Sequence, residues 1–297
     1  MTTPTMTFPL PRWHEGTTVI APPEGRAGAW AGAPSAVRDG DSIYLAYRLR
    51  KPIGEGRGFV NVIARSADGV DFTTIAELHR DAFGGESLER PALVRTPAGR
   101  WRVYVSVATP GTKHWRVDLL EADTPEGLAT APAITVLPGD DTVGVKDPVV
   151  LFHDGGWHLW ASCHPLETDE RADRMTTRYA TSPDGVTWTW RGTALAGRPG
   201  EWDARGVRVA AVLANGDELT VAYDGRATAE ENWEERTGLA RGTFGRLTAD
   251  DGDPIESPYA PHGLRYLSVV ALGDGRHRIY YEGTRPDGAH ELRTELV

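Results

Sequence analysis

The feature that most constrains this chain is a hairpin pattern that recurs five times. Each copy has an apolar strand, a tight turn that contains glycine, and a second strand rich in aromatic and β-branched residues. Asp-Gly, Ala-Gly and Asn-Gly turns of this kind favour short hairpin connections. The copies are separated by 57, 57, 61 and 58 residues and start at Ala33, Arg90, Asp147, Arg208 and Tyr266. Self-similarity at a fixed period indicates a repeat architecture.

The segments that follow the hairpins also repeat. The stretch "VIARSADGVDF" at 62–72 matches "RYATSPDGVTW" at 178–188, and 117–128 and 237–247 hold the equivalent places more loosely. Each unit therefore has a third strand and room for a fourth. The sequence predicts an all-β chain, a five-bladed β-propeller with four antiparallel strands per blade.

The two ends of the chain are predicted to complete one blade together. The last unit lacks an outer strand, and "TTVIA" at 17–21 is free to pair beside 290–296. That pairing would remove an exposed sheet edge. The prediction is a single domain over 1–297, with blades near 33–85, 86–142, 143–201, 202–258 and 259–297 plus 17–21. Two packed sheets are the alternative arrangement.

Charge and composition exclude several function classes. The formal net charge of −10 argues against nucleic acid or an anionic membrane as a partner. A single cysteine excludes a disulfide within the chain. No signal-peptide pattern and no apolar run of about 18 residues is present, so a cytoplasmic protein is predicted. No metal-ligand spacing or Gly-rich phosphate loop occurs, so neither a metal nor a cofactor is predicted.

Two of the repeated strands begin with an acidic residue and a basic residue directly before a proline. These stretches are "LERPALV" at 88–94 and "VKDPVVL" at 145–151. In a propeller, the first strand of each blade lines the central channel, and its start opens on one face. Glu89 and Asp147 are therefore predicted to face the same funnel.

Several of these motifs resemble those of the five-bladed glycoside hydrolases of families 43, 32 and 68, and of the related family 130 phosphorylases. The resemblance is carried by "KDPVVL", "ERPALV", "DGGWHLW", "NGDELTVAYDG" and "SPDGVTW". It implies three acidic residues at channel-facing positions of blades one to three. This chain departs from that pattern. It has Ala33 in blade one, Glu89 two positions before the proline in blade two, and Asp147 where the hydrolases have a glutamate.

The catalytic candidates are Asp147, Glu89 and Asp203. Glycosidic cleavage needs an acid to protonate the leaving oxygen and a carboxylate to act as base or nucleophile. We interpret Asp147 as the base and Glu89 as the acid. The alternative is that both are ion-paired with Arg90 and Lys146. Asp203 is either a third carboxylate or a turn-forming residue.

Cations and aromatic residues near the strand starts are the substrate-binding candidates. Arg208 and Arg265 have no obvious local partners in the sequence, which predicts an anionic ligand group. Charge balance for the acids is the alternative, and packing is the alternative for the tryptophans. Cys163 and His164 should point to opposite faces of a strand, with Cys163 buried and His164 able to face the pocket. The full set is Arg90, Lys146, Arg208, His262, Arg265, Trp30, Trp115, Trp202 and His164.

The sequence thus favours a glycosidase-like enzyme that acts on a small glycoside, including one with an anionic group, by carboxylate acid–base chemistry. Its partner would be a small carbohydrate or glycoside. Two alternatives remain: a non-catalytic carbohydrate-binding or scaffold propeller, and a biosynthetic enzyme that reuses the same funnel.

Overall fold

The chain is almost entirely β-structure. A computed structural model describes residues 7–168 and 170–297. Within those ranges the helices are three short 3-10 segments, Trp13–Glu15, Arg80–Phe83 and Glu126–Thr130. The all-β prediction is therefore confirmed. Among the helices in the described ranges, none is long and apolar enough to cross a membrane.

Twenty strands in these ranges form five antiparallel four-stranded units. Unit 1 contains β2 Trp30–Asp39, β3 Ser42–Arg50, β4 Gly58–Ser66 and β5 Thr73–His79. Unit 2 contains β6 Leu88–Arg95, β7 Trp101–Ala108, β8 Trp115–Ala122 and β9 Ile134–Leu137. Unit 3 contains β10 Val143–His153, β11 Gly156–Pro165, β12 Thr176–Ser182 and β13 Thr189–Leu195. Unit 4 contains β14 Gly206–Asn215, β15 Glu218–Arg226, β16 Arg236–Thr243 and β17 Arg246–Ala249. Unit 5 contains β18 Leu264–Ala271, β19 His277–Thr284, β20 His290–Leu296 and β1 Thr17–Ile20.

The N-terminal strand completes unit 5, as the sequence predicted. β1 runs antiparallel to β20, with Thr17 opposite Thr294 and Thr18 opposite Arg293. Unit 5 is also joined to unit 1, because Trp30 of β2 pairs in parallel with His290 of β20. The first and last parts of the chain are thereby held in one sheet.

The hydrophobic core lies between the units. Five clusters of buried apolar side chains in the described residues each join two units, in the order 1–2, 2–3, 3–4, 4–5 and 5–1. The first strands β2, β6, β10, β14 and β18 contact one another in the same cyclic order. Burial of these apolar faces is the main stabilising contribution to such a packing.

Each first strand is interrupted by a β-bulge near its start. The pairing register with the second strand shifts between Gly32 and Ser35, Leu88 and Pro91, Lys146 and Val149, Val209 and Ala211, and Arg265 and Ser268. Ala33, Asp147 and Tyr266 lie in these bulges with φ values of 53°, 53° and 57°. A bulge bends the strand and re-aims a side chain. The bulges therefore bring the repeated charged positions together.

Candidate active site

A small cavity lies where the bulged first strands start. Its volume is about 20 Å³, which is room for about one water molecule. The residues that line it are Arg48, Glu89, Lys146, His164, Met175, Arg208, Arg226, Asn232, Trp233, Glu235, Arg265 and Tyr266.

Positive charge dominates this lining. Among the described residues, five cationic side chains and two carboxylates line the cavity. Three further buried carboxylates, Asp147, Asp224 and Glu282, contact these cations from behind. The cavity is therefore surrounded by a connected network of ion pairs, which costs desolvation energy and orders the side chains.

Glu89 lines the cavity and is held by two arginines of β3. Only 3% of Glu89 is exposed. Its Oε2 forms an ion pair with Nη1 of Arg48, and its Oε1 lies 3.3 Å from Nη1 of Arg50. Two guanidinium partners favour the ionised carboxylate. The geometry thus supports Glu89 as a carboxylate in the site, but not the proton-donor role that we predicted from the sequence.

Asp147 is fully buried directly beneath the cavity. Its Oδ2 lies 3.2 Å from Arg208 Nη1, 3.3 Å from the Tyr266 hydroxyl and 3.8 Å from Lys146 Nζ. Burial alone would raise the pKa of Asp147, but Lys146 and Arg208 outweigh burial and lower it. Asp147 is therefore ionised at neutral pH, and it reaches the cavity through Tyr266 and Lys146.

Lys146 is the cation in the lining with the fewest contacts. In the described part of the chain its Nζ donates no hydrogen bond, and it lies 4.7 Å from the centroid of the Trp115 ring. Burial lowers the pKa of Lys146 to about 8, although Asp147 opposes the shift. A lysine with such a pKa can release a proton near neutral pH.

His164 lines the same wall as a neutral imidazole. Burial and the charge of Lys146 lower the pKa of His164 to about 3. Its Nδ1 lies 2.9 Å from the carbonyl oxygen of Ala172, and its Nε2 lies 3.2 Å from the Ser162 hydroxyl. Its neighbour Cys163 packs in the apolar cluster between units 2 and 3, and burial raises its thiol pKa to about 12. The predicted alternation of these two side chains is confirmed.

Arg208 and Arg265, which have no obvious local partners in the sequence, are both ion-paired with carboxylates, as the charge-balance alternative expects. Arg208 forms an ion pair with Asp224 at 2.9 Å, in addition to its contact with Asp147. Arg265 forms an ion pair with Glu282 at 2.8 Å. The partners lie on second strands of the same units, at positions that the sequence pattern did not mark as functional.

Glu235 is a site residue that sequence reasoning missed. It forms ion pairs with Arg226 and Arg265 and lies 3.8 Å from Arg208. Burial opposes its charge, but these three arginines lower its pKa well below the usual value. Bends and turns at 227–233 precede Glu235, which stands directly before β16.

The start of unit 1 has no carboxylate of its own, and one is supplied from unit 5. The backbone N–H of Ala33 donates to Oε2 of Glu282 at 2.9 Å. Glu282 also accepts a hydrogen bond from Arg48 and contacts His290 Nδ1 at 2.8 Å. Ala33 is therefore part of the charged network through its backbone.

Some predicted site residues lie away from the cavity lining. The Asp203 carboxylate is bound by Arg198 at 3.0 Å and by the Tyr223 hydroxyl at 2.8 Å. Trp202 stacks on Tyr223, and His262 Nδ1 lies 2.8 Å from the carbonyl oxygen of Ser257. None of the predicted residues Asp203, Trp202 and His262 is among the described residues that line the cavity.

Two predicted tryptophans support the site from behind. Trp30 stacks on His290 with ring centroids 4.8 Å apart, and the guanidinium of Arg50 lies 4.2 Å from the Trp30 centroid. The ammonium group of Lys146 lies over the Trp115 ring. Both tryptophans therefore position cations.

Arg90 lies on the other side of the bulges. Its side chain lines a separate cavity that opens between the far ends of the first strands. Its backbone N–H donates to Asp147 Oδ1 at 3.2 Å, and its guanidinium lies 5.8 Å from the centroid of the Tyr266 ring. No group of three or more described His, Cys, Asp and Glu residues is arranged to hold a metal ion.

Comparison of the whole fold with solved structures shows what this chain resembles. A thermostable family-43 glycoside hydrolase aligns with a TM-score of 0.68 at 14% identity, over 90% of this chain and 88% of that one. The α-L-arabinofuranosidase from Lactobacillus brevis aligns with a TM-score of 0.66 at 15% identity, over 92% and 90%. This chain has the fold of the family 43 glycoside hydrolases. No protein-family model and no curated protein matches the sequence.

A phosphorylase is also among the solved structures with a similar fold. The β-1,2-mannobiose phosphorylase from Listeria innocua, in complex with β-1,2-mannobiose, aligns with a TM-score of 0.67 at 15% identity. The alignment covers 96% of this chain and 92% of the phosphorylase. The expected resemblance to propeller glycoside hydrolases and phosphorylases is thus confirmed at the level of the fold.

Proposed function

We propose that this protein cleaves a small glycoside that carries an anionic group, by acid–base chemistry in the charged cavity. The observation that carries the proposal is the lining of five cationic side chains and two carboxylates. Four of these cations are ion-paired with carboxylates, whereas Lys146 has only Asp147 at 3.8 Å, so its ammonium group can bind an anionic group through a charge-assisted hydrogen bond. The α-L-arabinofuranosidase and the mannobiose phosphorylase have similar folds, which supports a carbohydrate as the ligand.

The architecture proposed for this function is a five-bladed propeller in a single domain. The five four-stranded units correspond to the blades expected near 33–85, 86–142, 143–201, 202–258 and 259–297 plus 17–21. The cyclic contacts among the first strands support this arrangement. The cavity then lies on the axis, where the starts of the first strands converge. A cytoplasmic location remains a prediction.

Three residues have distinct proposed roles. Glu89 is the general base, because it lines the cavity and its arginine partners favour the carboxylate. Lys146 is the general acid, because its ammonium group lines the cavity and has a pKa of about 8. Asp147 is a positioning residue, which holds Lys146 and Tyr266 from beneath. The network that surrounds Asp203 gives it a structural role instead.

Entry of a sugar requires the cavity to widen, since its present volume takes about one water molecule. The segment 227–235 is the proposed moving part. Trp233 of this segment lines the cavity, is 38% exposed and has a φ of 78°. Its ring lies 6.0 Å from that of Trp30 and 5.2 Å from the Arg50 guanidinium. Displacing Trp233 would remove one wall of the cavity and widen it.

A matched substrate pair tests the proposal. The purified protein is assayed with 4-nitrophenyl β-D-glucuronide and 4-nitrophenyl β-D-glucoside, which differ only in the carboxylate, and with the corresponding arabinofuranosides, xylosides and mannosides. Each assay is run with and without inorganic phosphate. We expect turnover of at least one glycoside, with a lower KM for the anionic member of the pair.

Single-residue variants test whether the activity resides in the charged cavity. Glu89→Gln should lower kcat by about 10²–10⁴, the usual effect of removing a general acid–base group. Glu86→Gln is the matched control, because Glu86 is ion-paired with Arg57 outside the cavity lining. If sugars bind but no glycoside is cleaved, the protein is a carbohydrate-binding propeller. Unchanged turnover in Glu89→Gln would refute the assignment of the base.

A further inference from the structure

The segment 227–235, which supplies part of the charged cavity's lining, is bound to unit 5 by a buried contact. Nε2 of His290 lies 3.1 Å from Oε1 of Glu234, the residue that follows Trp233. The other oxygen of Glu234 accepts a hydrogen bond of 2.9 Å from the Thr284 hydroxyl. His290 is 1% exposed, and the Glu234 side chain is 16% exposed. Because the contact is largely shielded from water, it is stronger than a surface ion pair.

His290 has a carboxylate at each of its two ring nitrogens. Its Nδ1 lies 2.8 Å from Oε1 of Glu282, which belongs to the ion-pair network around the cavity. Burial would lower the pKa of His290, but the hydrogen bonds to Glu234 and Glu282 outweigh burial and raise it. This geometry favours the imidazolium, which donates from both nitrogens. His290 thus connects the charged network to the segment 227–235.

An aromatic and cationic stack lies beside this contact. The His290 ring stacks on Trp30 with an interplanar angle of 15°. The guanidinium of Arg50 lies 4.2 Å from the Trp30 centroid and 5.2 Å from that of Trp233. Trp233 therefore packs toward unit 1, whereas the adjacent Glu234 is bound by unit 5.

Trp233 is held in a strained conformation. Its φ of 78° is one that a bulky side chain rarely adopts, and such a conformation persists only where neighbouring contacts hold it. Gly263 permits one of these contacts, because a Cβ there would lie 2.5 Å from Oε2 of Glu234. On the other side, Glu235 is fixed separately by Arg226. Release of Glu234 would therefore free the stretch before Glu235 and leave the charged network in place.

We propose that Glu234 and His290 form a latch that keeps Trp233 in the cavity lining, and that release of this latch admits the glycoside. Both are positioning residues, since neither lines the cavity among the described residues. The inference rests on the proposed function, because it specifies how the small cavity widens. Opening of the latch should also expose Lys146, which lines the cavity and whose side chain is 15% exposed.

Acetylation of Lys146 by acetic anhydride, followed by mass spectrometry, measures the opening without a glycoside. The lysines of the chain are Lys51, Lys113 and Lys146, and the exposed Lys113 is the internal reference. Glu234→Ala should raise the rate at Lys146 relative to Lys113 by about 10-fold, the usual effect of losing a hydrogen bond to a charged group. Trp233→Ala, which removes the cavity wall itself, should raise it at least as much.

A second variant disrupts the latch without changing either of its residues. The methyl group of Gly263→Ala would push Glu234 away from His290, so faster labelling of Lys146 is expected here too. This variant tests the latch even if Glu234→Ala does not fold. The matched control is Glu77→Ala, because Glu77 lies 3.1 Å from His79 in an exposed pair on β5. Labelling of Lys146 in this control should equal that of the wild type.

The single cysteine separates local opening from unfolding. Cys163 is 3% exposed in the apolar cluster between units 2 and 3, so its reaction with a thiol reagent should stay slow in every variant. Equal acceleration at Cys163 and Lys146 would attribute the effect to unfolding and overturn the latch. Unchanged labelling of Lys146 in Glu234→Ala and Gly263→Ala, or in Trp233→Ala, would also overturn it. Absence of glycoside turnover is a separate result, which would refute the proposed function and not the latch.

Discussion

The hydroxyl of Tyr266 lies 3.3 Å from Oδ2 of Asp147, although the two residues are 119 positions apart. Both lie in bulges of first strands with left-handed φ values of 57° and 53°. The guanidinium of Arg208 lies 3.8 Å from the Tyr266 ring centroid and also contacts Asp147. The bulges of units 3 and 5 thus build one side of the charged cavity with unit 4 between them.

Activity toward an anionic glycoside should fall as the pH rises through the pKa of Lys146. Burial lowers that pKa to about 8, so Nζ loses its proton, and with it both its charge and its ability to protonate a leaving group, above about pH 8. The pH profile of kcat/KM should therefore show an alkaline limb near pH 8. Lys146→Arg should lower kcat/KM by about 10²–10⁴ at every pH and leave no limb near pH 8, because a guanidinium stays charged and does not give up its proton. A flat wild-type profile between pH 7 and about 10 would contradict the role of Lys146.

Asp147→Asn should move the same alkaline limb to lower pH. The Asp147 carboxylate, 3.8 Å from Nζ, raises the pKa of Lys146 and partly offsets burial. Its neutralisation removes that support, so Lys146 should deprotonate below about pH 8. A purely structural role for Asp147 would change stability without moving the limb.

The matched control for that experiment is Asp118→Asn. Asp118 is also a buried aspartate with an arginine partner, since Arg116 Nη2 lies 3.1 Å from its Oδ2. It lies on β8, away from the cavity lining. The pH profile of this variant should match the wild type.

The protein should lose stability as the pH falls below about 5. The folded-state pKa values of Glu235 and Glu282 are lowered, because burial is outweighed by arginines, chiefly Arg265. In the unfolded chain a glutamate titrates near pH 4.3. Below that value the unfolded state binds more protons, so the stabilisation that is present at neutral pH is lost progressively. Urea unfolding at pH 7, 5 and 4 should give a decreasing free energy of unfolding.

Glu235→Gln tests how much of this pH dependence of stability comes from Glu235 and how much from the other acidic groups. The substitution leaves buried arginines without their carboxylate, which typically costs about 3–5 kcal/mol. The variant should therefore be less stable at pH 7, and its stability should decline less between pH 7 and 4. A decline equal to that of the wild type would show that Glu235 does not contribute to the pH dependence.

Phe8 should be important for stability although it precedes the first strand. It is buried in the apolar cluster between units 4 and 5, with Leu264, Ile279 and Tyr281. Phe8→Ala should cost about 3–5 kcal/mol, as is usual for a buried phenylalanine. Ile134→Ala is the control, because Ile134 is 49% exposed and its loss should change stability by about 0.5 kcal/mol or less. Chemical denaturation of both variants measures the difference.

Much of the fold could be predicted from the sequence because its signals are local and repeated. The hairpin turns, the alternation of apolar residues and the incomplete last unit depend on short stretches, and these predicted the strands and the pairing of 17–21 beside 290–296. The structure finds β1 on β20. Several site residues also follow from the repeat, since Glu89, Lys146, Arg208 and Arg265 stand at equivalent starts of first strands and line the cavity.

The ion-pair partners of the charged residues in the site could not be predicted in the same way. Glu235 precedes a third strand, and Glu282 lies on a second strand, so neither belongs to the repeated pattern of first strands. Arg208 and Arg265 have no obvious local partners in the sequence, yet both contact Glu235. Such ion pairs join residues that are distant in the chain, and only the angle between units decides which side chains meet.

The sequence by itself determined the all-β units, their order and the position of the charged residues at strand starts, because turn chemistry and side-chain alternation act over a few residues. Only the tertiary structure decided on which side of the bulges each charge lies. Glu89 and Arg90 are adjacent in the chain, but both lie in the bulge of β6, where the regular alternation of side chains is interrupted. In the folded protein Glu89 enters the charged cavity with Arg48, whereas Arg90 is among the residues that line the cavity between the far ends of the first strands.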